Sequence, residues 1–264
     1  MSGKSIDVLG TLIQKCLSVP GARVDREKFL RENLSLYTPA EVVENAIEEN
    51  PSKAGIPTHL IDELAKHSIK FHIKTATACS AASGLPGGLW MAGTIPADTM
   101  QFYANVIILS QKLAYLYGWP DLDDKNDIDQ LKNMVILFLG VMMGISQFNK
   151  LVAEVSKRLA IEIVKRVPRK ALTKTLWYPL IKSAAKWIGV KITKDIAAKG
   201  IAKVVPLLGA ITSGTFAYLT MKHMAKKLQN ELKASPLANM KDADPLINND
   251  ENAPIEVDFK EVDM

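Results

Sequence analysis

Residues 75–111 form a span of 37 residues in which Asp98 is the single charged side chain. The span reads TATACSAASGLPGGLWMAGTIPADTMQFYANVIILSQ, which is too apolar for a surface loop or a solvated helix. A segment of this length and polarity has to be buried, either in protein or in lipid. The arrangement of the whole chain therefore depends on how this span packs.

A glycine- and proline-rich break divides the span into two helices. Glycine weakens a helix and proline interrupts it, so the break cannot lie inside one regular helix. We expect one helix over about residues 58–78, a tight turn with a short apolar stretch, and a second helix over about residues 97–117. The residues at the break are Gly84, Pro86, Gly87 and Gly88.

A narrow polar line runs along the second helix, which is otherwise apolar nearly all round. Asp98, Gln101, Asn105 and Lys112 lie within about 60° of one another at 100° per residue. Asp98 either caps or charges the start of the helix or, with its three neighbours, forms a polar contact for a ligand or a gating group.

Two shorter apolar runs follow, residues 134–146 and 204–221. Small residues four apart in each run, and at the glycine turn, favour tightly packed central helices or hairpins, because they let another backbone approach closely. We therefore expect glycine turns and close packing at eight positions. These are Gly84, Pro86, Gly87, Gly88, Gly140, Gly144, Gly209 and Gly214.

The remaining pattern is helical throughout. Helical spacing of apolar residues recurs, including a short amphipathic helix over about residues 26–34, and alternation typical of strands is almost absent. The sequence predicts a single all-α domain over residues 1–234, with central apolar hairpins and amphipathic outer helices. Residues 235–264 are proline-rich, polar and acidic, and we expect this tail to be disordered.

Charge is distributed in three blocks. Residues 150–233 carry 18 Lys and Arg against 4 Asp and Glu, a net charge of +14. The preceding 149 residues have a net charge of −3, and residues 235–264 have −6. The middle block can attract a polyanion, either anionic lipid, nucleic acid or the chain's own tail, unless its lysines only form solvated helix faces.

Aromatic side chains lie among the lysines of this basic block. Rings beside ammonium groups suit a lipid headgroup region, although the Trp rings could equally pack into the core. The sequence contains no recognisable nucleic-acid-binding module, and Arg is scarce in the basic block. We therefore do not expect nucleic acid as a partner. The candidate membrane-surface contacts are Trp177, Tyr178, Lys182, Lys186, Trp187, Lys191 and Lys194.

The sequence contains no motif that supports catalysis. His59, Glu63 and His67 recur at metal-ligand spacing, but Lys66 falls on the same face, which favours a solvated stripe over a metal site. Phosphate-loop, dinucleotide, nucleophile-elbow and zinc-protease signatures are missing. We expect a protein that is not an enzyme, with no cofactor and no metal.

Several short motifs are specific in combination. GLPGG, TIPAD and QKLAYLYG are followed by VVPLLGAITSG and preceded by PGARVDREKFLRENL and NPSKAGIP. Over about residues 15–230 they resemble the EcsC family of bacterial proteins. The resemblance implies a mostly helical protein, cytosolic or membrane-associated, with no established catalytic activity. It also implies a membrane-protein partner, such as a transporter.

Our leading functional hypothesis is a peripheral protein at the inner, cytoplasmic face of the membrane. It would dock on anionic lipid through the basic helices and could expose its apolar hairpins to lipid. The alternative is a soluble binding protein with an apolar pocket for a lipid or other amphiphile, oriented by Asp98, Gln101 and Asn105. The sequence leaves the oligomeric state open.

Overall fold

The computed structural model describes residues 11–83, 97–122, 128–164 and 214–242. These residues contain helices and turns and no strand, which confirms the all-α prediction. Residues 11–17 are helical and precede the named elements. Those elements are α1 (Arg26–Leu34), α2 (Ala40–Glu48), α3 (Thr58–Ser83), α4 (Ala97–Leu116), α5 (Ile128–Met142), α6 (Ser146–Val164), α7 (Gly214–Ala234) and a 3-10 helix (Pro236–Asp242).

The apolar span forms parts of two helices, as predicted. α3 extends to Ser83, about five residues beyond the predicted end, and α4 begins at Ala97. Of the residues from 101 to 116, only three have side chains that are not buried, Gln101, Ile108 and Lys112. α4 is therefore the central helix of the described structure, while the predicted glycine turn lies outside the described residues.

α3, α4 and α7 form a group of three mutually packed helices. The start of α3 meets the end of α4, because Tyr117 Oη donates to Asp62 Oδ1 at 2.9 Å. It also meets the end of α7, because Lys233 pairs with Asp62. Helices that meet at opposite ends and pack along their lengths must run antiparallel, so both α4 and α7 are antiparallel to α3.

This arrangement gives the group two ends, which we call the Asp62 end and the Gly214 end. At 1.5 Å per residue, α3 and α4 both extend about 30 Å from the Asp62 end and α7 extends about 28 Å. The end of α3, the start of α4 and the start of α7 therefore lie at about the same height, at the Gly214 end.

Glycine ends α4 and α5 in the same way. Gly118 and Gly144 have φ of +90° and +79°, in the left-handed region that favours glycine. The amide of Trp119 donates to the carbonyl of Ala114 at 2.9 Å, and the amide of Ile145 donates to that of Gly140 at 3.1 Å. Both turns are Schellman motifs, which supply partners for carbonyls at the end of each helix.

Gly140 and Gly144, both predicted among the glycine-turn and close-packing positions, have different surroundings in the structure. A Cβ on Gly140 would lie 2.1 Å from the ring of Phe148, so the missing side chain lets α6 pack closely against α5. Gly144 lies beyond the last residue of α5, so the two glycines do not share a helix face. Its positive φ makes it a helix-ending residue instead.

The run over residues 204–221 was expected to be a central helix, and its described part is the start of α7, which packs against α3 and α4. Residues 214–221 are the first turns of α7, an amphipathic helix that continues to Ala234. Ala217 and Met221 are buried, whereas Tyr218 and Leu219 are 41% and 58% exposed. The hydrophobic core contains the two buried residues and also includes Leu12 and Ile13 of the first helical segment and Leu30 of α1.

The folded region continues past the predicted boundary at residue 234. The 3-10 helix packs against α6 and α7, and Leu237 and Met240 are buried. Asn50 Nδ2 donates to the Leu237 carbonyl at 3.1 Å, and the Met240 amide donates to Ser52 Oγ at 3.0 Å. The end of the folded region therefore moves to at least residue 242, and residues 243–264 lie outside the described part.

Candidate functional site

The predicted polar line on α4 is the least buried side of that helix, but its members have different neighbours. Gln101 is exposed, and its backbone carbonyl accepts from Asn105 Nδ2 at 2.9 Å. Asn105 is 3% exposed, and its Oδ1 lies 3.1 Å from His72 Nδ1 on α3. Because Oδ1 can only accept, His72 Nδ1 carries the proton. Burial lowers the pKa of His72 to about 4, so the ring is neutral at neutral pH.

Lys112 lies two turns further along the line. Its Nζ is 5.7 Å from the ring centroids of both Phe29 and Phe71, within range for cation–π attraction. Burial lowers the pKa of Lys112. Asp98 is in the first turn of α4, but its side chain lies outside the described part. The described members of the line thus join α4 to α1 and α3 and do not converge on one ligand position.

Three buried polar residues, which the sequence analysis did not select, hold the helices together. Gln111 accepts from the Val24 amide at 3.0 Å and donates to the Ala22 carbonyl at 2.8 Å. Asn50 Nδ2 donates to the carbonyls of Gly118 and Leu237. The only sequence signal that could have identified such a residue is a polar side chain within an apolar run. Of these three residues, only Gln111 shows it.

The third of these residues is Arg26, which is 2% exposed. Its guanidinium donates to the carbonyls of Ala46 and Ile47 at the end of α2 and to that of Trp119. A cation is favoured at the carboxyl end of a helix, where the unpaired carbonyls carry partial negative charge. Arg26 therefore has a structural role.

The small cavity near the Asp62 end does not suit a lipid. Its volume is about 10 Å³, room for about one water molecule. The lining residues are Ser52, Ile56, Thr58, Ile61, Leu116, Tyr117 and Ala238.

The histidine stripe on α3 faces solvent, as predicted. His59, Glu63 and His67 are exposed, and Lys66 Nζ pairs with Glu63 Oε1 at 2.7 Å. Across the described ranges, no three His, Cys, Asp or Glu side chains are grouped so that they could hold a metal ion.

The outward side of α7 combines exposed apolar and cationic side chains, and we call it the outer face of α7. Tyr218 and Leu219 lie near the Gly214 end, and Lys222, His223 and Lys226 follow within the next two turns. Lys222 Nζ lies 5.6 Å from the Tyr218 ring centroid. The other side of the helix is buried in the core, so this face is fixed in position by the fold.

All seven predicted membrane-surface positions lie outside the described residues. Residues 165–213 lie outside the described part, and they include Trp177, Tyr178, Lys182, Lys186, Trp187, Lys191, Lys194 and Gly209. The turn residues Gly84, Pro86, Gly87 and Gly88 lie outside it too, whereas Gly214 is the first residue of α7. Within the described part of the basic block, residues 150–164 and 214–233, the outer face of α7 shows exposed aromatic and aliphatic side chains beside lysine.

None of the described helices has the length and apolarity needed to span a bilayer. Comparison of the chain with protein-family models, with curated proteins and with solved structures finds no match.

Proposed function

We propose that this chain is a non-enzymatic, EcsC-like peripheral protein that docks on anionic lipid at the inner face of the membrane. The observation that carries the proposal is the outer face of α7, where Leu219 and Tyr218 are exposed one turn from Lys222. Such a face can place apolar groups at the acyl boundary and ammonium groups among phosphates.

The energetics favour weak, reversible binding. A lysine near an anionic surface contributes about 1 kcal/mol, and full burial of a leucine side chain contributes about 1.5–3 kcal/mol. Lys222, Lys226 and Leu219 together can therefore supply a few kcal/mol before the entropic cost of association. The net charge of +14 over residues 150–233 adds a longer-range attraction that salt weakens.

Charge reversal on the outer face of α7 tests the proposal. The variant K222E/K226E should bind less than the unmodified protein in co-sedimentation with an excess of phosphatidylserine-containing vesicles. The matched control K28E/K66E has the same net charge, and both of its sites are exposed lysines in the half of the molecule near the Asp62 end. The weak surface pairs that it breaks contribute at most about 1 kcal/mol each.

We expect K222E/K226E to lose most of the vesicle binding and K28E/K66E to retain most of it. Equal loss in the two variants would show that only net charge matters and would contradict a role for this face. The additional variant L219S should weaken the binding that remains at high salt, because that part depends on apolar contact.

The alternative function, an apolar pocket for an amphiphile, gains no specific support from the described residues. Asn105, its central polar contact, is already bonded to His72 and to the Gln101 carbonyl. We therefore develop the membrane-docking proposal alone.

A further inference from the structure

The lysines on the outer face of α7 form no ion pair with the described residues, unlike several other lysines of the described surface. Lys66 pairs with Glu63, and Lys233 pairs with Asp62. No salt bridge joins Lys222 or Lys226 to a carboxylate anywhere in residues 11–83, 97–122, 128–164 and 214–242. Among the described residues neither ammonium group has a carboxylate partner, so both can pair with an acidic segment or ligand.

The chain contains such a segment directly after α7 and the 3-10 helix. Residues 243–264 carry seven Asp and Glu against Lys260, a net charge of −6. Within them, Ile255, Val257 and Phe259 alternate with acidic residues. This segment thus combines negative charge with apolar side chains, which complements lysines that lie beside Tyr218 and Leu219.

The position where the segment begins makes the contact geometrically easy. The 3-10 helix is held at the Asp62 end by Asn50 and Ser52, so residue 243 starts close to the end of α7. Lys222 lies eleven residues before Lys233, which is about 16 Å along the helix. Twenty-two residues can span up to about 70 Å. The tether also gives the segment an effective concentration in about the millimolar range.

We propose that residues 243–264 bind the outer face of α7 and compete there with anionic lipid. The contact places tail carboxylates against Lys222 and Lys226 and apolar tail residues against Leu219. The competition rests on the proposed membrane docking, whereas the contact itself does not. An anionic surface that displaces the tail exposes the outer face of α7. The tail therefore inhibits membrane binding by the same chain.

Lysine acetylation of the full chain, read by mass spectrometry without any membrane, tests the contact. The comparison is between the unmodified protein and a full-length variant whose tail is neutralised. The substitutions in that variant are D250N, E251Q, E256Q, D258N, E261Q and D263N. Lys28 and Lys70 are exposed lysines on α1 and α3, and they serve as internal controls in every sample.

At low salt, Lys222 and Lys226 should react about threefold or more slowly in the unmodified protein than in the variant, because paired ammonium groups deprotonate less readily. The difference should disappear at about 0.5 M salt, where exposed charges are screened. Lys28 and Lys70 should react equally in the two proteins. Equal reactivity of Lys222 and Lys226 in both proteins at low salt would overturn the proposal, and so would protection that persists in the variant.

In vesicle co-sedimentation, the neutralised variant should bind anionic vesicles several-fold more tightly than the unmodified protein. If acetylation shows the tail contact but neither protein binds vesicles, the membrane proposal fails and the tail contact stands. If both bind vesicles equally and the acetylation rates do not differ, the tail proposal fails and membrane docking stands.

Discussion

His72 is a buried histidine whose environment favours the neutral ring. It is 3% exposed, and its Nδ1 donates to Asn105 Oδ1. Its pKa in the folded protein is about 4, below the ordinary value of 6.5, because burial penalises the charged ring and Lys112 adds to that penalty. The unfolded chain therefore binds a proton between pH 6.5 and 4 that the folded protein does not bind.

This difference makes stability depend on pH. Above pH 6.5 the ring is neutral in both states, and the full stability is present. As pH falls to about 4, the free energy of unfolding should drop by about 3 kcal/mol through this residue. Urea denaturation at a series of pH values measures it. H72Q should have a shallower pH dependence, and H67Q, at an exposed site on the same helix, should match the unmodified protein. Identical slopes for H72Q and the unmodified protein would contradict the assignment.

At the residue scale, sequence reasoning identified a side of α4 and did not identify its partners. The spacing of Gln101, Asn105 and Lys112 predicts a polar line on one side of the helix, and in the structure Gln101 on this side is exposed, Lys112 is half-buried and Asn105 is buried. The contacts of Asn105 with His72 and of Lys112 with Phe29 depend on how α1 and α3 pack, and no local pattern encodes them. Arg26 was missed for the same reason, since its carbonyl partners come from two distant turns.

Two turns contain a glycine in the same left-handed conformation, but the atoms around the two glycines differ. Gly55 and Gly118 have φ of +84° and +90°. A Cβ on Gly55 would meet nothing within 4 Å, whereas a Cβ on Gly118 would lie 2.1 Å from Asn50 Nδ2 and 2.7 Å from the Leu237 carbonyl oxygen. Substitutions at these two glycines therefore distinguish the cost of backbone strain, present at both, from the cost of steric contact, present only at Gly118.

Gly55→Ala should lower the free energy of unfolding by about 1–2 kcal/mol, from the left-handed backbone alone. Gly118→Ala should cost about 1–3 kcal/mol more, because it displaces the Asn50 amide from its two buried carbonyl partners. Thermal or urea denaturation of both variants measures the difference. Equal losses would indicate that the contact between Asn50 and the end of α4 relaxes freely.

At the element scale, local signals predicted helices well and helix neighbours poorly. The apolar periodicity places α1 at Arg26–Leu34, as predicted, and the structure adds Asp25 as the cap, whose side chain accepts from the Lys28 amide. The Gly140 and Gly144 spacing was read as one packing face, but a positive φ at Gly144 ends α5 first. The 3-10 helix after α7 was missed because its few apolar residues, Leu237 and Met240, become stable only against α6 and the Asn50 turn.

At the scale of the whole molecule, charge and topology act together. The fold directs the apolar side of α7 into the core and leaves lysines beside Tyr218 and Leu219 on the outside, near the Gly214 end. Composition predicted the basic block but not which of its side chains share a surface. The acidic tail is likewise visible in the sequence, whereas its attachment point after residue 242 required the structure.

Co-sedimentation of the intact chain and of the tail-neutralised variant with vesicles tests membrane docking most directly. The vesicles are either neutral phosphatidylcholine or a mixture with phosphatidylserine, and the salt is either about 0.05 M or about 0.5 M. We predict that both proteins bind the anionic vesicles in preference to the neutral ones at low salt and are largely released at high salt. Equal sedimentation with both vesicle types at both salt concentrations, in both proteins, would contradict the account.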